Sequence, residues 1–312
     1  TGTPSSNGLM DLWAEFRVLD MGRRLGRFIT RYRSAYFQPD KRNAQVVFSY
    51  KPLPGSEDAI YEKISDITIS MRAGDYLDMP ECVVNEVKVD LSEKERQAYD
   101  TMRAELVLSL NGEEVDAGNA AALANKLSQM ANGAVYGEDK RVLRLHNRKL
   151  DALEDILQDY VVEGKKKLVI FARFIPEIHE IEALCEKALR SAGMKAVAIY
   201  GDIKKEDRGD IVQQFQTDPK TTVFIGQIDT AGTGITLTAA DTCIFYSVNF
   251  NFATYSQSLS RIHRIGQHHP CTYIHLLAEK TIDETVLQAL QKKEDLAKTV
   301  VDDWRQLFSE GG

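Results

Sequence analysis

The stretch KLVIFARFIPEIHEIEALCEKALRSAGMKAVAIYG, residues 167–201, decides the fold of this 312-residue chain. An apolar run at 168–172 is followed by a segment with apolar side chains at helical spacing, and then by a second apolar run at 196–200. This order predicts a βαβ unit, whose two strands are parallel. Further apolar runs repeat the alternation at 222–225, 242–246 and 272–277. The sequence therefore predicts an α/β fold in which helices flank a parallel sheet.

The other elements are predicted from apolar spacing and from turn residues. Residues 8–34 carry apolar side chains at helical spacing and predict one helix. Ser92 and Glu95 stand at the spacing of a capping box, which predicts a helix start. The remaining predicted elements are strands at 45–50 and 82–89 and helices at 92–110, 118–132, 147–161 and 282–300.

The composition excludes several classes of protein. Hydrophobic residues make up 43% of the chain and charged residues 27%, the proportions of an ordinary globular protein. No apolar stretch reaches the roughly 20 residues that a membrane-spanning helix needs. The four cysteines form no CxxC pair and the six histidines no HExxH motif, so we expect no metal site and a reducing compartment. Because the chain begins at Thr1 without Met, we expect it to be a fragment.

The net charge of −7 is unevenly distributed. Residues 17–42 hold eight basic and two acidic side chains, a local charge of +6. Two further basic clusters lie within 140–149 and 165–167. Such clusters are compatible with a track for a polyanion and equally with ordinary solvated faces.

Residues 229–235, DTAGTGI, follow the predicted strand 222–225. Ligands of open parallel sheets bind beyond the carboxyl ends of the strands. Gly232 and Gly234 would allow a close backbone approach, and the hydroxyl of Thr233 could bond a phosphate. A purely structural turn explains the segment equally well.

Residues 257–267, QSLSRIHRIGQ, form the second candidate site. On a helix Gln257, Arg261 and Arg264 would share one face, because they are spaced i, i+4 and i+7. Two guanidiniums that project together suit a dense negative charge such as a nucleotide polyphosphate. The spacing alone is equally compatible with two surface arginines that form salt bridges.

Two motifs that a complete nucleotide site needs are missing from the sequence. It contains no GxxxxGK[ST] phosphate loop and no acidic DExx tetrad at the end of a predicted strand. A nucleotide held by this chain would lack its phosphate cradle and its magnesium carboxylate.

Residues 257–267 resemble the sixth motif of the Swi/Snf-type helicase-like ATPases of superfamily two, and RIHRIGQ is a specific match. Weaker resemblances to other family motifs occur in the correct order along the whole chain. They lie at residues 1–13 for the third motif, 71–99 for the exit from the first motor lobe, 167–174 for the fourth motif, 201–215 for the next block and 230–241 for the fifth.

The resemblance implies a two-lobe RecA-like motor that binds ATP between its lobes and grips duplex DNA across them. This chain would be the C-terminal half, so that the phosphate loop, the DExx tetrad and the Mg²⁺ ligands would lie upstream of Thr1 in the N-terminal lobe. The protein would be cytoplasmic in a bacterium or phage-infected cell, or nuclear in a eukaryote. The implied segments are the end of lobe one with its helical protrusion (1–90), a helical insertion (91–163), the second RecA-like lobe (164–280) and a brace helix (281–312).

The resemblance also implies roles for single residues. Arg261 and Arg264 would reach the ATP phosphates, with Arg264 as the arginine finger and Gln257 orienting both. The turn of Gly232, Thr233 and Gly234 would couple nucleotide to DNA. Expected DNA contacts are Arg173, Thr230 and Thr236. The sequence departs from the family pattern at Ala231, Thr236, Ser247 and 249–252.

Two other functions remain open from the sequence. A non-hydrolysing nucleic-acid or protein-binding module would need neither missing motif. A nucleotide-sugar transferase lobe would also use a glycine-rich turn after a parallel strand, but it does not explain the paired arginines.

Overall fold

The computed structural model describes residues 8–40, 47, 50–68, 79–110, 117–137, 141–231 and 234–292. The chain divides into two compact units, one formed by residues 1–76 and 290–312 and the other by residues 77–289. None of the helices in the described part of the chain is long and apolar enough to cross a membrane.

The first unit is built from three short helices and a two-stranded antiparallel sheet. These elements are α1 (Leu12–Leu19), α2 (Ile29–Tyr36), β1 (Phe37–Pro39), β2 (Tyr50–Pro52) and α3 (Ser56–Ile64). Phe16, Tyr32 and Ile60 lie in its core, and the Tyr32 hydroxyl donates to the carbonyl of Leu9 over 2.7 Å.

The predicted single helix over 8–34 is wrong. α1 ends at Leu19, and α2 begins only at Ile29. Between them Met21 and Gly22 have φ angles of 60° and 75°, a region that a helix cannot contain. A Cβ on Gly22 would also meet the main-chain oxygen of Gly26 at 2.7 Å. Apolar spacing continued across this break, so it gave no indication of the turn.

The second unit contains a six-stranded sheet in which all strand pairs are parallel. Its strands are β3 (Cys82–Val89), β6 (Leu168–Ala172), β7 (Lys195–Ile199), β8 (Thr221–Gln227), β9 (Thr242–Phe245) and β10 (Cys271–Ala278). Their order across the sheet is β3-β10-β9-β6-β8-β7. The predicted α/β fold with a parallel, helix-flanked sheet is confirmed.

Helices and a second small sheet complete this unit. The helices are α4 (Glu93–Leu110), α5 (Ala117–Ala131), α6 (Arg148–Ile156), α7 (Ile175–Leu189), α8 (Arg208–Thr217), α9 (Ile228–Ala231), α10 (Phe252–Leu259) and α11 (282–292). β4 (Ala134–Tyr136) and β5 (Val142–Arg144) pair antiparallel, and α6 continues as a π-helical segment, Leu157–Glu163. The predicted capping box is confirmed, since the Ser92 amide donates to Glu95 Oε2 over 2.7 Å and the Glu95 amide to Ser92 Oγ over 3.4 Å.

Strand β3 occupies an edge of the sheet. It pairs with β10 along its whole length, from Cys82 beside Cys271 to Val89 beside Ala278. Sequence analysis predicted a strand at 82–89 but could not identify its partner, because the two strands are almost 190 residues apart. The implied segment boundaries at 90, 163 and 280 stay predictions.

We expect Gly133→Ala to destabilise the second unit by roughly 2–4 kcal/mol. Gly133 has a φ angle of 100°, and a Cβ there would overlap the main-chain oxygen of His146. Gly209→Ala is the matched control, because Gly209 lies in α8 with open space around its Cβ position. That control should be stabilised by about 0.5–1 kcal/mol. Equal urea midpoints for the two variants would contradict this account of the turn at Gly133.

Burial of His275 makes the stability of the sheet depend on pH. Its ring stacks on Phe245 at 4.9 Å, its Nε2 lies 3.1 Å from the Tyr255 hydroxyl, and burial lowers its pKa from 6.5 to about 4. The unfolded chain therefore binds the proton more readily, so stability is lost as pH falls from about 6.5 towards 4. Relative to His275→Gln, the wild type should lose about 2 kcal/mol between pH 7.5 and pH 5 in urea unfolding. Parallel pH profiles would refute this prediction.

Candidate functional site

Loops from four neighbouring strands meet at the carboxyl edge of the main sheet. Gln227, the last residue of β8, joins three of them. Its Oε1 accepts from the amide of Gly201 over 2.9 Å and from the hydroxyl of Thr230 over 3.0 Å, and its Nε2 donates to the carbonyl of Arg173 over 3.4 Å. Gln227 thus fixes the loops that follow β6, β7 and β8. Sequence analysis missed it, because a glutamine at a strand end carries no motif.

Arg173 follows β6 and, besides its bond to Gln227, is held by three further contacts. Its amide donates to Ser247 Oγ over 2.8 Å, and its Nη2 donates to Asn125 Oδ1 over 2.5 Å. Its guanidinium lies 4.8 Å from the centre of the Phe174 ring. Burial lowers the pKa of the guanidinium, and the carboxylates of Asp229 and Glu177 oppose that shift. The side chain is therefore partly buried and fixed in place.

The segment after β8 is described only in part. Asp229 accepts from Asn249 Nδ2 over 3.2 Å, which ties this segment to the loop after β9. Gly232 and Thr233, two of the predicted nucleotide-turn residues, lie outside the described residues. Gly234 has a φ angle of 75° and is exposed, and Thr236 is half-buried.

Arg261 and Arg264 converge, although not in the way that sequence predicted. α10 ends at Leu259, so Gln257, Arg261 and Arg264 do not share a helix face. Both guanidiniums instead donate to the carbonyl of Ile235, Arg261 Nη1 over 3.1 Å and Arg264 Nη1 over 3.3 Å. Arg261 Nε also donates to the carbonyl of Gln257 over 2.8 Å, so Gln257 orients it through the main chain.

The early end of α10 has a local cause. The hydroxyls of Ser258 and Ser260 donate to the carbonyls of Tyr255 and Gln257, and such bonds compete with helical ones. The carbonyl of Arg261 accepts from the amide of Leu237 over 2.9 Å instead of continuing the helix. This contact joins residues 257–264 to the segment that follows Gly234.

Two like charges meet on one neutral acceptor at Ile235. Arg261 is only 9% exposed, and its pKa is lowered by burial and by the neighbouring charge of Arg264. Arg264 is half-buried. Since a single carbonyl cannot neutralise two guanidiniums, this place favours an anion with several oxygens.

Comparisons with known proteins show which proteins this chain resembles. Residues 148–266 match the family described as the helicase conserved C-terminal domain. The chain is 34% identical over 154 residues, 49% of its length, to the chromatin-remodeling ATPase INO80 of Saccharomyces cerevisiae. The chain therefore contains a helicase conserved C-terminal domain and resembles the Swi/Snf-type helicase-like ATPases. Its fold resembles that of the Sulfolobus solfataricus SWI2/SNF2 ATPase core in complex with double-stranded DNA, with a TM-score of 0.55, 22% identity and coverage of 100% of this chain and 64% of that one.

The relatives that this chain matches are longer proteins. It is 30% identical over 300 residues to putative protein p41 of Acyrthosiphon pisum secondary endosymbiont phage 1, which covers 94% of this chain. The chain spans 61% of the length of the phage protein and 10% of the length of the yeast ATPase. The fold of the six-stranded sheet matches the RecA-like second lobe of the SWI2/SNF2 ATPases.

Gln267 closes the loop that carries both arginines. Its Nε2 donates to the carbonyls of Ala240 and Ile262 over 2.9 and 3.3 Å. Its Oε1 accepts from the amides of His268 and His269 over 2.9 and 3.0 Å. Gln267 is buried, so these bonds fix the loop against the segment after Gly234. The RIHRIGQ match contained this residue, but the sequence assigned it no role.

A buried polar network lies behind the carboxyl edge. Lys149 is 1% exposed and pairs with Asp283 at 2.6 Å. Lys149 Nζ also donates to Asn132 Oδ1 over 2.7 Å and to the carbonyl of Tyr246 over 3.0 Å. Lys149 belongs to the basic cluster within 140–149, and its burial was not visible from the sequence.

The other basic clusters are also partly engaged within the protein. Arg144 pairs with Glu180, Arg148 with Glu95, and Lys167 donates to the carbonyls of Phe215 and Asp218. In the first unit Arg24 pairs with Asp20 and Asp66. These contacts leave fewer free cations for a polyanion track than the sequence count implied.

Proposed function

We propose that this chain is the C-terminal half of a DNA-stimulated ATPase that translocates on duplex DNA. The observation that carries the proposal is the meeting of Arg261 and Arg264 at the carbonyl of Ile235, one residue beyond Gly234. In the proposal the chain provides the second-lobe side of the ATP site, and the N-terminal lobe of the same natural polypeptide provides the phosphate loop. The chain alone is expected not to hydrolyse ATP.

The residues at this place fit the phosphates of ATP. Arginine stays charged at physiological pH and offers a fork of N–H donors, so both side chains would stabilise negative charge and transfer no proton. Arg264, the more exposed of the two, acts as the finger. The carbonyl of Gln257 holds the guanidinium of Arg261, so Arg261 provides the second cation in a fixed position. In the proposal Gly232, Thr233 and Gly234 are the neighbouring residues that couple nucleotide to DNA.

ATP, when bound, supplies the phosphoryl group that is cleaved, and Mg²⁺ offsets part of its charge. The magnesium ligands are expected in the N-terminal lobe, in the family's DExx tetrad. The chain's own contribution is to place two fixed cations and to exclude water around the buried Arg261.

The carboxyl edge of the sheet is the proposed DNA contact. Arg173 follows β6, Thr230 lies in α9 after β8, and Thr236 lies in the segment that follows Gly234. Gln227 bonds to both Arg173 and Thr230. Contacts to phosphate are independent of base sequence, so we expect binding without strong sequence preference. Such a protein would work in the cytoplasm of a bacterium or phage-infected cell, or in a eukaryotic nucleus.

Duplex binding by this chain tests the DNA part of the proposal. We expect fluorescence anisotropy with a labelled duplex to report binding that weakens with salt. Arg173→Ala should weaken binding and reduce the slope of log affinity against log salt by about 1, the effect of one lost phosphate contact. Arg190→Ala is the control, because Arg190 is an exposed residue that directly follows α7 and pairs with Glu186. Equal loss in both variants would reject a specific role for Arg173.

One observation favours a second function. The sequence contains no GxxxxGK[ST] phosphate loop, which is compatible with a non-hydrolysing nucleic-acid or protein-binding module. The genomic sequence upstream of Thr1 discriminates the two functions, since only the ATPase requires that motif and a DExx tetrad there.

A further inference from the structure

A continuous chain of buried polar contacts leads from α11 to the main chain of Arg173. Asp283 pairs with Lys149, and Lys149 donates to Asn132 Oδ1. Asn132 Nδ2 donates to Glu177 Oε1 over 2.7 Å, and the Ser247 hydroxyl donates to Glu177 Oε2 over 2.6 Å. Ser247 Oγ in turn accepts the amide of Arg173 over 2.8 Å. The network thus joins α11, α6, the end of α5, α7 and the loop after β9.

Every donor in this network has one possible direction. Lys149 can only donate, so the oxygen of Asn132 must face it and the amide nitrogen must face Glu177. Glu177 accepts from Asn132, from Ser247 and from the amide of Phe174 over 3.3 Å. With its hydroxyl proton committed to Glu177, Ser247 can offer only a lone pair to Arg173. The main-chain amide of Arg173 can only donate, so its contact with Ser247 completes a network in which each donor has an acceptor.

A second contact from the same helix holds the side chain of Arg173. Asn125 lies on α5 and accepts from Arg173 Nη2, while Asn132 follows the last residue of α5. Residues seven apart lie on one face of a helix. One face of α5 therefore reaches both the guanidinium of Arg173, directly, and its amide, through Glu177 and Ser247.

The arrangement is more than the core needs for stability. Apolar side chains of similar volume would stabilise such a place as well as a buried ion pair, or better. Burial also raises the pKa of Glu177, so its charged form is costly here and is supported by the three donors around it and by the charge of Lys149. A polar network that ends at the main-chain amide of Arg173 is suited to hold Arg173 in one position.

We propose that Asn132, Glu177 and Ser247 are positioning residues that fix Arg173 for contact with a nucleic-acid phosphate. The inference rests on the proposed DNA role of Arg173 and adds what holds that side chain in place. A shift of α5 or α6 would then change DNA binding without touching DNA.

Hydrogen exchange in the free protein tests the network apart from DNA. Ser247→Ala should speed exchange at the Arg173 amide by about tenfold or more, and Ser247→Thr, which keeps the hydroxyl, should restore it. Asn132→Asp, which does not touch Arg173 but sets a carboxylate against Glu177, should speed the same exchange. Amides of β7 are the internal reference for global opening. If the exchange rate of the Arg173 amide changes only by the same factor as the rates of the β7 amides, the proposed role of the network is wrong.

A double-mutant cycle on duplex binding tests the consequence. Ser247→Ala should weaken binding about three- to tenfold in the wild-type background and less than about twofold in the Arg173→Ala background, because its effect passes through Arg173. Equal factors in both backgrounds would overturn the positioning role. A different result would reject the proposed DNA contact of Arg173, namely an Arg173→Ala variant that binds duplex DNA as tightly as the wild type. The exchange experiment then still decides whether the network orders Arg173.

Discussion

Arg264→Ala, made in the full-length protein that carries the phosphate loop, is expected to lower ATP turnover by about 10³–10⁵-fold. The guanidinium would act on the charge that develops during phosphoryl transfer, so its loss raises the barrier without removing the main phosphate cradle. ATP binding should remain largely intact. Folding should be little affected, because the side chain is half-buried and makes a 3.3 Å bond to Ile235.

The controls separate this effect from general damage. Arg190→Ala removes an exposed arginine of the same unit that pairs with Glu186, and its turnover should match the wild type. Arg264→Lys keeps the charge but not the fork of donors and should remain strongly impaired. Binding of a fluorescent ATP analogue provides the second readout. Normal turnover by Arg264→Ala would remove the arginine from the proposed mechanism.

Lys149→Met is expected to cost about 3–5 kcal/mol of unfolding free energy. Among the described residues, Lys149 is the only cation paired with the buried carboxylate of Asp283, and the substitution removes it. It also leaves Asn132 Oδ1 and the carbonyl of Tyr246 without the donor that they share. Urea unfolding of the chain, followed by circular dichroism, measures the loss.

Lys187→Met is the matched control for this stability prediction. Lys187 is 74% exposed and pairs with Glu154 at 2.8 Å, so the same substitution there should cost less than about 1 kcal/mol. Lys149→Met combined with Asp283→Leu should regain part of the loss, because the second change removes the uncompensated carboxylate. Equal losses at Lys149 and Lys187 would show that the buried pair contributes nothing special.

The sheet could be predicted from the sequence because its strands are short apolar runs buried on both faces. The predicted run 168–172 coincides with β6, and 272–277 lies within β10. The pairing of β3 with β10 could not be predicted, since no local pattern records a contact across such a separation. Apolar spacing also failed at Met21 and Gly22, where main-chain dihedral angles end the helix.

The candidate site divides in a similar way. A motif identified Arg261 and Arg264, but the helix that was to bring them together ends before either. Their convergence depends on the carbonyl of Ile235, which has no signature in the sequence. Ser247 illustrates the same limit. In the sequence Ser247 was visible only as a departure from the family pattern. In the structure its hydroxyl donates a hydrogen bond to Glu177, which a carboxylate at position 247 could not do.

ATP turnover, with and without duplex DNA, tests the central proposal most directly. It is measured for this chain alone, for the N-terminal half alone and for the two mixed. We predict no turnover by either half and DNA-stimulated turnover by the mixture, which Arg264→Ala in this chain abolishes. Robust turnover by this chain alone would contradict the proposal, because it would require a complete nucleotide site within residues 1–312.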